Sequence, residues 1–294
     1  MTSPPDPAPA AQAPADDAPA TDGSRRPVRA EAVADLLGPA TPWRISTVTA
    51  TPSTNTDLAA AALAGAAHGQ VLIAEEQTAG KGRLGRQWIA PAGSGLTMSM
   101  LLRLPQIPQA RRGWIGVVLG LAVRRACAAT GVPATLKWPN DLLVDGRKCA
   151  GILAEISGDA VIVGVGLNVS LTKDELPRPD ATSLFLETAA VLETPAGLDR
   201  EVLAATVLTE FAALIDAWVA VQGDVDTSGI RSEYLAVCST IGATVRLELP
   251  GGGDLTGVAV GVDEEGGILV EAEDGVVRSY RAADVVHLRP AAAN

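Results

Sequence analysis

The sequence KWPNDLLVDGRKCAGILAEI, residues 137–156, has the pattern of a β-hairpin. Apolar residues lie on both sides of Asp145-Gly146, a dipeptide that is typical of the tight turn between two antiparallel strands. We therefore expect two strands within residues 142–156. Pro139 ends the segment before them and is expected to aim Asn140 and Asp141 outward from the strand tip. The stretch predicts a sheet that carries an amide and a carboxylate at one end.

The segments around this hairpin supply further strands and helices. Residues 161–169, VIVGVGLNV, predict a strand whose two glycines let another group approach the backbone closely. Hydrophobic periodicity predicts more strands at 43–48, 71–74 and 96–104, and helices at 29–37, 56–67, 114–130, 200–222 and 230–237. Ser53 or Thr54 is available as the N-cap of the second helix. These elements predict an α+β unit.

The two ends of the chain differ from this middle part. Residues 1–24 contain seven Ala, six Pro, four Asp and no basic residue, a composition that favours disorder. After Ser239, short strands are predicted at 243–249, 255–262, 267–271 and 276–280, which is typical of a small barrel-like domain. The predicted layout is a disordered Pro/Ala-rich tail at 1–27, an α+β domain at 28–238 and a small β domain at 239–290.

Composition and charge exclude several classes of protein. The formal net charge of −11 argues against a general binder of nucleic acid or of acidic membranes. We find no apolar run near the roughly 18 residues of a transmembrane helix and no signal peptide at the start. Three cysteines and two histidines lack the spacing of a metal site. We expect a cytoplasmic protein with reduced thiols.

The basic residues are concentrated in one part of the chain. Residues 80–148 hold eleven basic and two acidic residues, whereas residues 224–289 hold five basic and twelve acidic ones. A cationic stretch in an acidic protein predicts a site for an anionic ligand. Four arginines of this stretch are expected only to solvate a helix face: Arg111, Arg112, Arg124 and Arg125.

Residues 80–86, GKGRLGR, form a loop of glycines and basic residues. The loop satisfies G-x-G-x-x-G literally, but no helix follows it, and Arg103 lies where a dinucleotide fold needs an acidic residue. A Walker A loop is also excluded, because Gly85 is followed by Arg86 and Gln87. Backbone amides and guanidinium groups together can still hold phosphate oxygens. The alternative is a basic hairpin loop without a ligand.

Four motifs together resemble the biotin protein ligases. They are Ser53-Thr54-Asn55, QTAGKGRLGRQW at 77–88, KWPND at 137–141 with RKCAGILAE at 147–155, and GVGLN at 164–168. The resemblance covers residues 43–290. It implies a mixed-sheet catalytic domain of the biotin/lipoate ligase type, followed by a small SH3-like β barrel. It also implies an enzyme that converts biotin and MgATP to biotinyl-5′-AMP, then transfers biotin to a lysine of a biotin carboxyl carrier protein domain of a biotin-dependent carboxylase.

The same resemblance assigns a role to individual residues. Catalysis is assigned to Lys148, Arg83 and Asp141. Biotin binding is assigned to Ser53, Thr54, Asn55, Gln77, Lys81, Gly82, Arg83, Lys148, Gly151, Gly164 and Gly166. ATP binding is assigned to Arg83, Arg86, Trp88, Asn140, Lys148 and Asn168. Trp88 is expected near adenine and Asn168 on the adenine or ribose side. No direct protein cage for a metal is implied, since Mg²⁺ arrives with ATP and comes near Asn140 and Asp141.

Two features depart from the family pattern. Lys81 stands where the family often has Arg, and lysine lacks the bidentate fork of a guanidinium. About 28 residues precede the first predicted helix, too few and too rich in proline for a winged helix-turn-helix. We therefore expect no nucleic-acid partner and no repressor role.

Two other functions compete with this interpretation. A lipoate-type protein ligase has a related fold and similar adenylate chemistry, but the 80–86 loop favours biotin. A non-catalytic biotin sensor would bind without reacting, but Lys148 and the Asn140-Asp141 pair favour catalysis.

Overall fold

The computed structural model describes residues 25–189, 198–249, 252–281 and 283–288. The segment predicted to be disordered, residues 1–24, lies outside the described residues. Contacts begin at Arg25, which donates to Glu175, and at Arg26, whose carbonyl accepts from Arg200. The described chain is thus attached to the larger unit before the predicted boundary at residue 28.

A seven-stranded mixed sheet forms the centre of this larger unit. Its strands are β1 (Arg44–Thr51), β2 (Gln70–Gln77), β3 (Gly95–Arg103), β4 (Thr135–Lys137), β5 (Asp141–Val144), β6 (Arg147–Ser157) and β7 (Ala160–Asn168). The order across the sheet is β1-β2-β3-β7-β6-β5-β4. The β1–β2 pair is parallel and the other neighbours are antiparallel. The mixed sheet and the hairpin predicted around Asp145-Gly146 are confirmed.

Within the residues that the structure describes, six α-helices accompany the sheet: α1 (Ala30–Leu37), α2 (Thr54–Leu63), α3 (Ile115–Ala129), α4 (Leu184–Ala189), α5 (Arg200–Ala220) and α6 (Ile230–Val237). The main core lies on the side of α3 and α5, and a smaller cluster lies under α2. Helix α2 begins before the predicted position because the Ser53 side chain caps it by accepting from Thr56 N at 3.4 Å. This leaves the first turn of α2 over the sheet.

Helix α5 is long and apolar enough to cross a membrane by length and composition alone, although Glu201, Glu210 and Asp216 interrupt its apolar sequence. Half of its apolar window is buried inside the protein. Phe211 and Trp218 of α5 are fully buried, as in the core helix of a globular protein.

A second, five-stranded antiparallel sheet follows α6. Its strands are β8 (Thr244–Glu248), β9 (Asp254–Val262), β10 (Ile268–Ala272), β11 (Val277–Tyr280) and β12 (Asp284–His287), in the order β11-β10-β9-β8-β12. The predicted small β unit is confirmed, although β12 is missing from the prediction. The sequence of β12, DVVH, shows no alternation of apolar and polar residues, so it does not indicate a strand.

The turn between β9 and β10 attaches the small sheet to the larger unit. The indole N–H of Trp114 donates to Asp263 O at 3.2 Å, and that of Trp138 donates to Gly266 O at 3.1 Å. Gly113 packs against the same turn, where a Cβ would lie 2.3 Å from Glu265 O. The KWPND segment is therefore connected to both sheets.

Candidate active site

The floor of a cavity is formed by one face of three adjacent strands. On β3, Leu96, Met98 and Met100 face the main core, so Thr97 and Ser99 face the opposite side. In the register of β3, β7 and β6, Ser99 pairs with Gly164, which pairs with Leu153, and Thr97 pairs with Gly166, which pairs with Gly151. Apart from Leu153, the two rows consist of small or polar residues, and they lie side by side on the face that α2 covers only in part.

The cavity has a volume of about 260 Å³. It brings together all the residues to which the sequence analysis assigned catalysis, biotin binding or ATP binding. These are Ser53, Thr54, Asn55, Gln77, Lys81, Gly82, Arg83, Arg86, Trp88, Asn140, Asp141, Lys148, Gly151, Gly164, Gly166 and Asn168. Their distribution is uneven, with neutral polar groups at the start of α2 and cations on the 80–86 loop and β6.

At the neutral end, side chains at the start of α2 are buried over the floor. Ser53, Thr54 and Asn55 are each at most 3% exposed. Thr54 N donates to Gln77 Oε1 at 2.8 Å, and the hydroxyls of Thr54 and Ser99 lie 2.6 Å apart. This end of the cavity is lined by hydrogen-bonding groups without a formal charge.

The glycines of the floor make room for protein side chains as well as for a cavity. A Cβ on Gly164 would lie 2.3 Å from Asn55 Oδ1, and one on Gly166 would lie 2.2 Å from the indole of Trp88. The family resemblance implies that these glycines let a ligand pack against the backbone. In the structure Asn55 and Trp88 occupy that space, and the indole Nε1 is buried without a hydrogen-bond partner among the described residues.

Lys148 lies at the centre of the cationic end. Its Nζ is 2.5 Å from Asp141 Oδ1 and 5.9 Å from the centroid of the Trp88 ring. Its backbone is also fixed, because Lys148 N donates to Asp180 O and Lys148 O accepts from Thr182 N, both at 2.8 Å. The amine is therefore held in the cavity by an ion pair and by a rigid strand.

The 80–86 loop extends from the cavity to the small sheet. Arg83 donates to Ala283 O at 3.3 Å and lies 6.0 Å from the Trp138 ring, while Arg86 forms an ion pair with Asp284. Burial is the largest influence on Arg83 and lowers the pKa of its guanidinium, whereas the nearby charge of Asp141 opposes this. A short 3₁₀ turn, Arg83–Gly85, shapes the loop, and no helix follows it, as predicted.

Two amides assigned to ATP binding already have protein partners, which differs from the expectation. Asn140 Nδ2 donates to Ile152 O at 2.8 Å, and Asn168 Nδ2 donates to Thr182 O at 2.9 Å. Asn140 is therefore turned back onto β6 rather than aimed outward, because the edge of that strand offers it an acceptor. Both amides line the cavity while fixing its walls.

Other lining residues had no role in the sequence analysis. Thr97 and Ser99 carry a signal that was available, since polar residues two apart in an otherwise apolar strand share one face. Arg178, which pairs with Asp180 at 2.5 Å, lies in the segment after β7 and matches no motif. In the residues that the structure describes, His, Cys, Asp and Glu form no cluster of three or more that could hold a metal.

Comparison with known proteins gives consistent matches. Residues 47–169 match the Biotin/lipoate A/B protein ligase family, and residues 240–288 match the Biotin protein ligase C terminal domain. The biotin--[acetyl-CoA-carboxylase] ligase of Mycobacterium tuberculosis is 41% identical over 276 residues, which cover 91% of this chain and 98% of that protein. The bifunctional ligase/repressor BirA of Escherichia coli is 31% identical over 226 residues, covering 74% of this chain and 66% of BirA.

A solved structure shows the same fold. The biotin protein ligase of Aquifex aeolicus in complex with biotin and ATP superposes with a TM-score of 0.69 at 28% identity. The match covers 84% of this chain and 99% of the Aquifex chain. The predicted architecture, a mixed-sheet domain followed by a small antiparallel sheet, is thus that of the known structure.

Proposed function

This chain belongs to the biotin protein ligase family, and on that basis we propose that it attaches biotin to a lysine of a biotin carboxyl carrier protein domain. The observation that carries the proposal is one cavity with a neutral hydrogen-bonding end and a cationic end. The neutral end suits the ureido ring of biotin. The cationic end suits its carboxylate and the phosphates of ATP.

In the first step, a carboxylate oxygen of biotin attacks the α-phosphorus of MgATP. A new P–O bond forms, the bond to the β-phosphate oxygen breaks, and pyrophosphate leaves. Lys148 and Arg83 offset the charge of the two approaching anions, and their fixed positions lower the barrier without a protein nucleophile. Asn140 and Asp141 line the part of the cavity that the Mg²⁺ of MgATP would approach.

In the second step, a lysine amine of the carrier attacks the carbonyl carbon of biotinyl-5′-AMP. An amide bond forms, the bond from the carbonyl carbon to the phosphate oxygen breaks, the amine loses a proton to solvent, and AMP leaves. Asp141 lies beside Lys148 in the cavity wall, so its carboxylate is placed to hold the incoming amine. The 80–86 loop covers the intermediate and limits its hydrolysis by water.

The alternatives have less support. A lipoate ligase would not account for the match of residues 240–288 to a biotin protein ligase domain. A sensor without catalysis would not need the Lys148–Asp141 pair inside the cavity. We place the reaction in the cytoplasm, where the buried, unpaired Cys127, Cys149 and Cys238 would stay reduced.

The test is to incubate the full chain with MgATP, biotin and the carrier domain of an acetyl-CoA carboxylase. We expect biotin-dependent pyrophosphate release and one biotinylated lysine in the carrier by mass spectrometry. Lipoate in place of biotin is the control for substrate class. Equal labelling with lipoate, or biotin binding without pyrophosphate release, would contradict the proposal.

A further inference from the structure

Glu155 is joined to the cavity floor through Asn55. Asn55 Nδ2 donates to Glu155 Oε2 at 2.7 Å and to Leu153 O at 3.3 Å, so both amide hydrogens have acceptors. A carboxylate and a carbonyl only accept, and they fix the orientation of the Asn55 amide. Asn55 Oδ1 must then face Ser99 as an acceptor, and it receives the Ser99 hydroxyl at 2.7 Å.

The other end of the same row is fixed by the backbone. Thr54 N donates to Gln77 Oε1 at 2.8 Å, which holds this oxygen as an acceptor. Between Asn55 and Gln77 lie the hydroxyls of Ser99 and Thr54. The oxygen–oxygen distances along the row are 2.7 Å from Asn55 to Ser99, 2.6 Å from Ser99 to Thr54 and 3.0 Å from Thr54 to Gln77.

Three contacts in this row share two hydroxyl protons. Each hydroxyl has one proton to donate, and the amide oxygens at both ends have none. Two protons cannot fill three contacts, so we assign the Thr54 proton to the 2.6 Å contact with Ser99, which leaves the longer contact between Thr54 Oγ1 and Gln77 Oε1, at 3.0 Å, without one. Two lone-pair-bearing oxygens then converge at the cavity, where an N–H of a ligand can bridge them.

We propose that Glu155 is a positioning residue for substrate recognition: it holds the Asn55 amide so that Thr54 and Gln77 present a paired acceptor to a ureido N–H. A carboxylate can only accept, whereas an amide at position 155 can also donate an N–H to Asn55 Oδ1, and the Asn55 amide can then turn and give a hydrogen to Ser99. The row of oxygens from Asn55 to Gln77 would then hold three protons for its three contacts. The paired acceptor formed by Thr54 and Gln77 would be lost. This inference rests on the proposed use of biotin and adds the residue that sets the direction of the hydrogen bonds.

The floor beneath the row supports this role. Gly164 lies under both Asn55 and Ser99, and a Cβ there would come within 2.3 Å of Asn55 Oδ1 and 2.6 Å of Ser99 Oγ. Asn55 and Ser99 are 3% and 1% exposed, so bulk water has little access to supply a missing proton. The order of the hydrogen bonds is therefore set by the protein.

The test compares Glu155→Gln with Glu76→Gln, an exposed carboxylate on β2 that loses the same charge. In Glu155→Gln we expect the Kd of biotin to rise about 10-fold, the effect of one hydrogen bond, with the KM of ATP within two-fold of wild type. Glu76→Gln should match wild type in both. Calorimetric titration gives the Kd, and thermal unfolding checks the fold.

Two further measurements separate positioning from a structural effect. Wild type should reject one of the two N-methylated biotins, in which a ureido hydrogen is replaced, and Glu155→Gln should reject it less. Asn55→Asp combined with Glu155→Gln restores an acceptor toward Ser99, so we expect it to recover most of the biotin affinity.

Four outcomes would overturn the inference: a biotin Kd in Glu155→Gln within two-fold of wild type, an equal loss in Glu76→Gln, a parallel rise in the KM of ATP, or a double variant as weak as the single one. Failure of the proposed function is distinguishable from these, because wild type would then release no pyrophosphate with biotin.

Discussion

Lys148 is the cation that the cavity holds most firmly, through Asp141 and through its backbone bonds to residues 180 and 182. Lys148→Ala should lower the rate of biotin-dependent pyrophosphate release about 10²-fold, since one preorganised charge is worth roughly 3 kcal/mol in the transition state. The fold should survive, because the amine is partly exposed. Release within a few-fold of wild type would show that Lys148 has no part in the chemistry.

Arg83 should give a different defect, because it connects the 80–86 loop to Ala283 beside Trp138. Arg83→Gly removes this contact and adds backbone freedom that closure must remove. We expect biotinyl-5′-AMP still to form, with weaker biotin binding, and to leave before the carrier arrives. Biotin on added albumin, detected by streptavidin blot, is the measurement. A variant that binds biotin like wild type and labels only the carrier would contradict this role.

At the scale of single residues, the sequence motifs predicted which residues line the two ends of the cavity, but they did not predict the hydrogen bonds of those residues. Lys148, Arg83 and Ser53-Thr54-Asn55 were identified before the structure and line the same cavity. The partners of Asn140 and Asn168 were not predictable, because each is a backbone carbonyl on a neighbouring segment. A carbonyl occurs at every residue and carries no sequence signal.

At the scale of elements, the segment after β7 is attached to the start of the described chain. Arg25 donates to Glu175 at 2.9 and 2.6 Å, and this ion pair lowers the pKa of Glu175 to about 2, with the Arg25 hydrogen bond as the main cause. A carboxyl whose pKa falls on folding stabilises the protein above its ordinary pKa and loses this effect as the pH falls.

Glu175→Gln should therefore destabilise the protein at pH 7, and the difference from wild type should shrink between pH 4.5 and about 2. The effect will be modest, because both side chains are about one-third exposed. Urea unfolding of both proteins at pH 7, 5, 4 and 3 measures the difference. A difference that stays constant over this range would mean that the charge of Glu175 is not the cause.

Periodicity predicted the bounds of some elements closely and those of others poorly. The helix expected at 230–237 is α6 with the same bounds, and α5 ends two residues before the predicted end. Helix α2 differed more, because its Ala-rich sequence continues past Leu63 without a period that marks an end. Strand β12 has four residues and gave no pattern, yet it carries Asp284, the partner of Arg86.

At the scale of the whole molecule, Asp284 connects the small sheet to the 80–86 loop. Asp284→Asn should weaken the hold on Arg86 and let trypsin cut the loop several-fold faster, with little change in the melting temperature. Asp274→Asn is the matched control, since Asp274 pairs with Arg278 on the same sheet. Equal cleavage rates in the two variants would show that the ion pair does not restrain the loop.

The two-part architecture was predictable, since a change in strand spacing marks the start of the small sheet. The bounds of the two predicted domains, residues 28–238 and 239–290, remain a proposal. The way the parts join was not predictable, because the indoles of Trp114 and Trp138 donate to main-chain oxygens in the β9–β10 turn.

Those two indole bonds have a consequence for how the protein melts. The small sheet spans few residues, and a unit of that size buries little apolar surface and is marginally stable alone. Trp114 directly precedes α3, and Trp138 directly follows β4. Loss of the small sheet would therefore expose both rings at the edge of the main core. We therefore expect the small sheet to draw stability from the larger unit and the two sheets to unfold together in one cooperative transition.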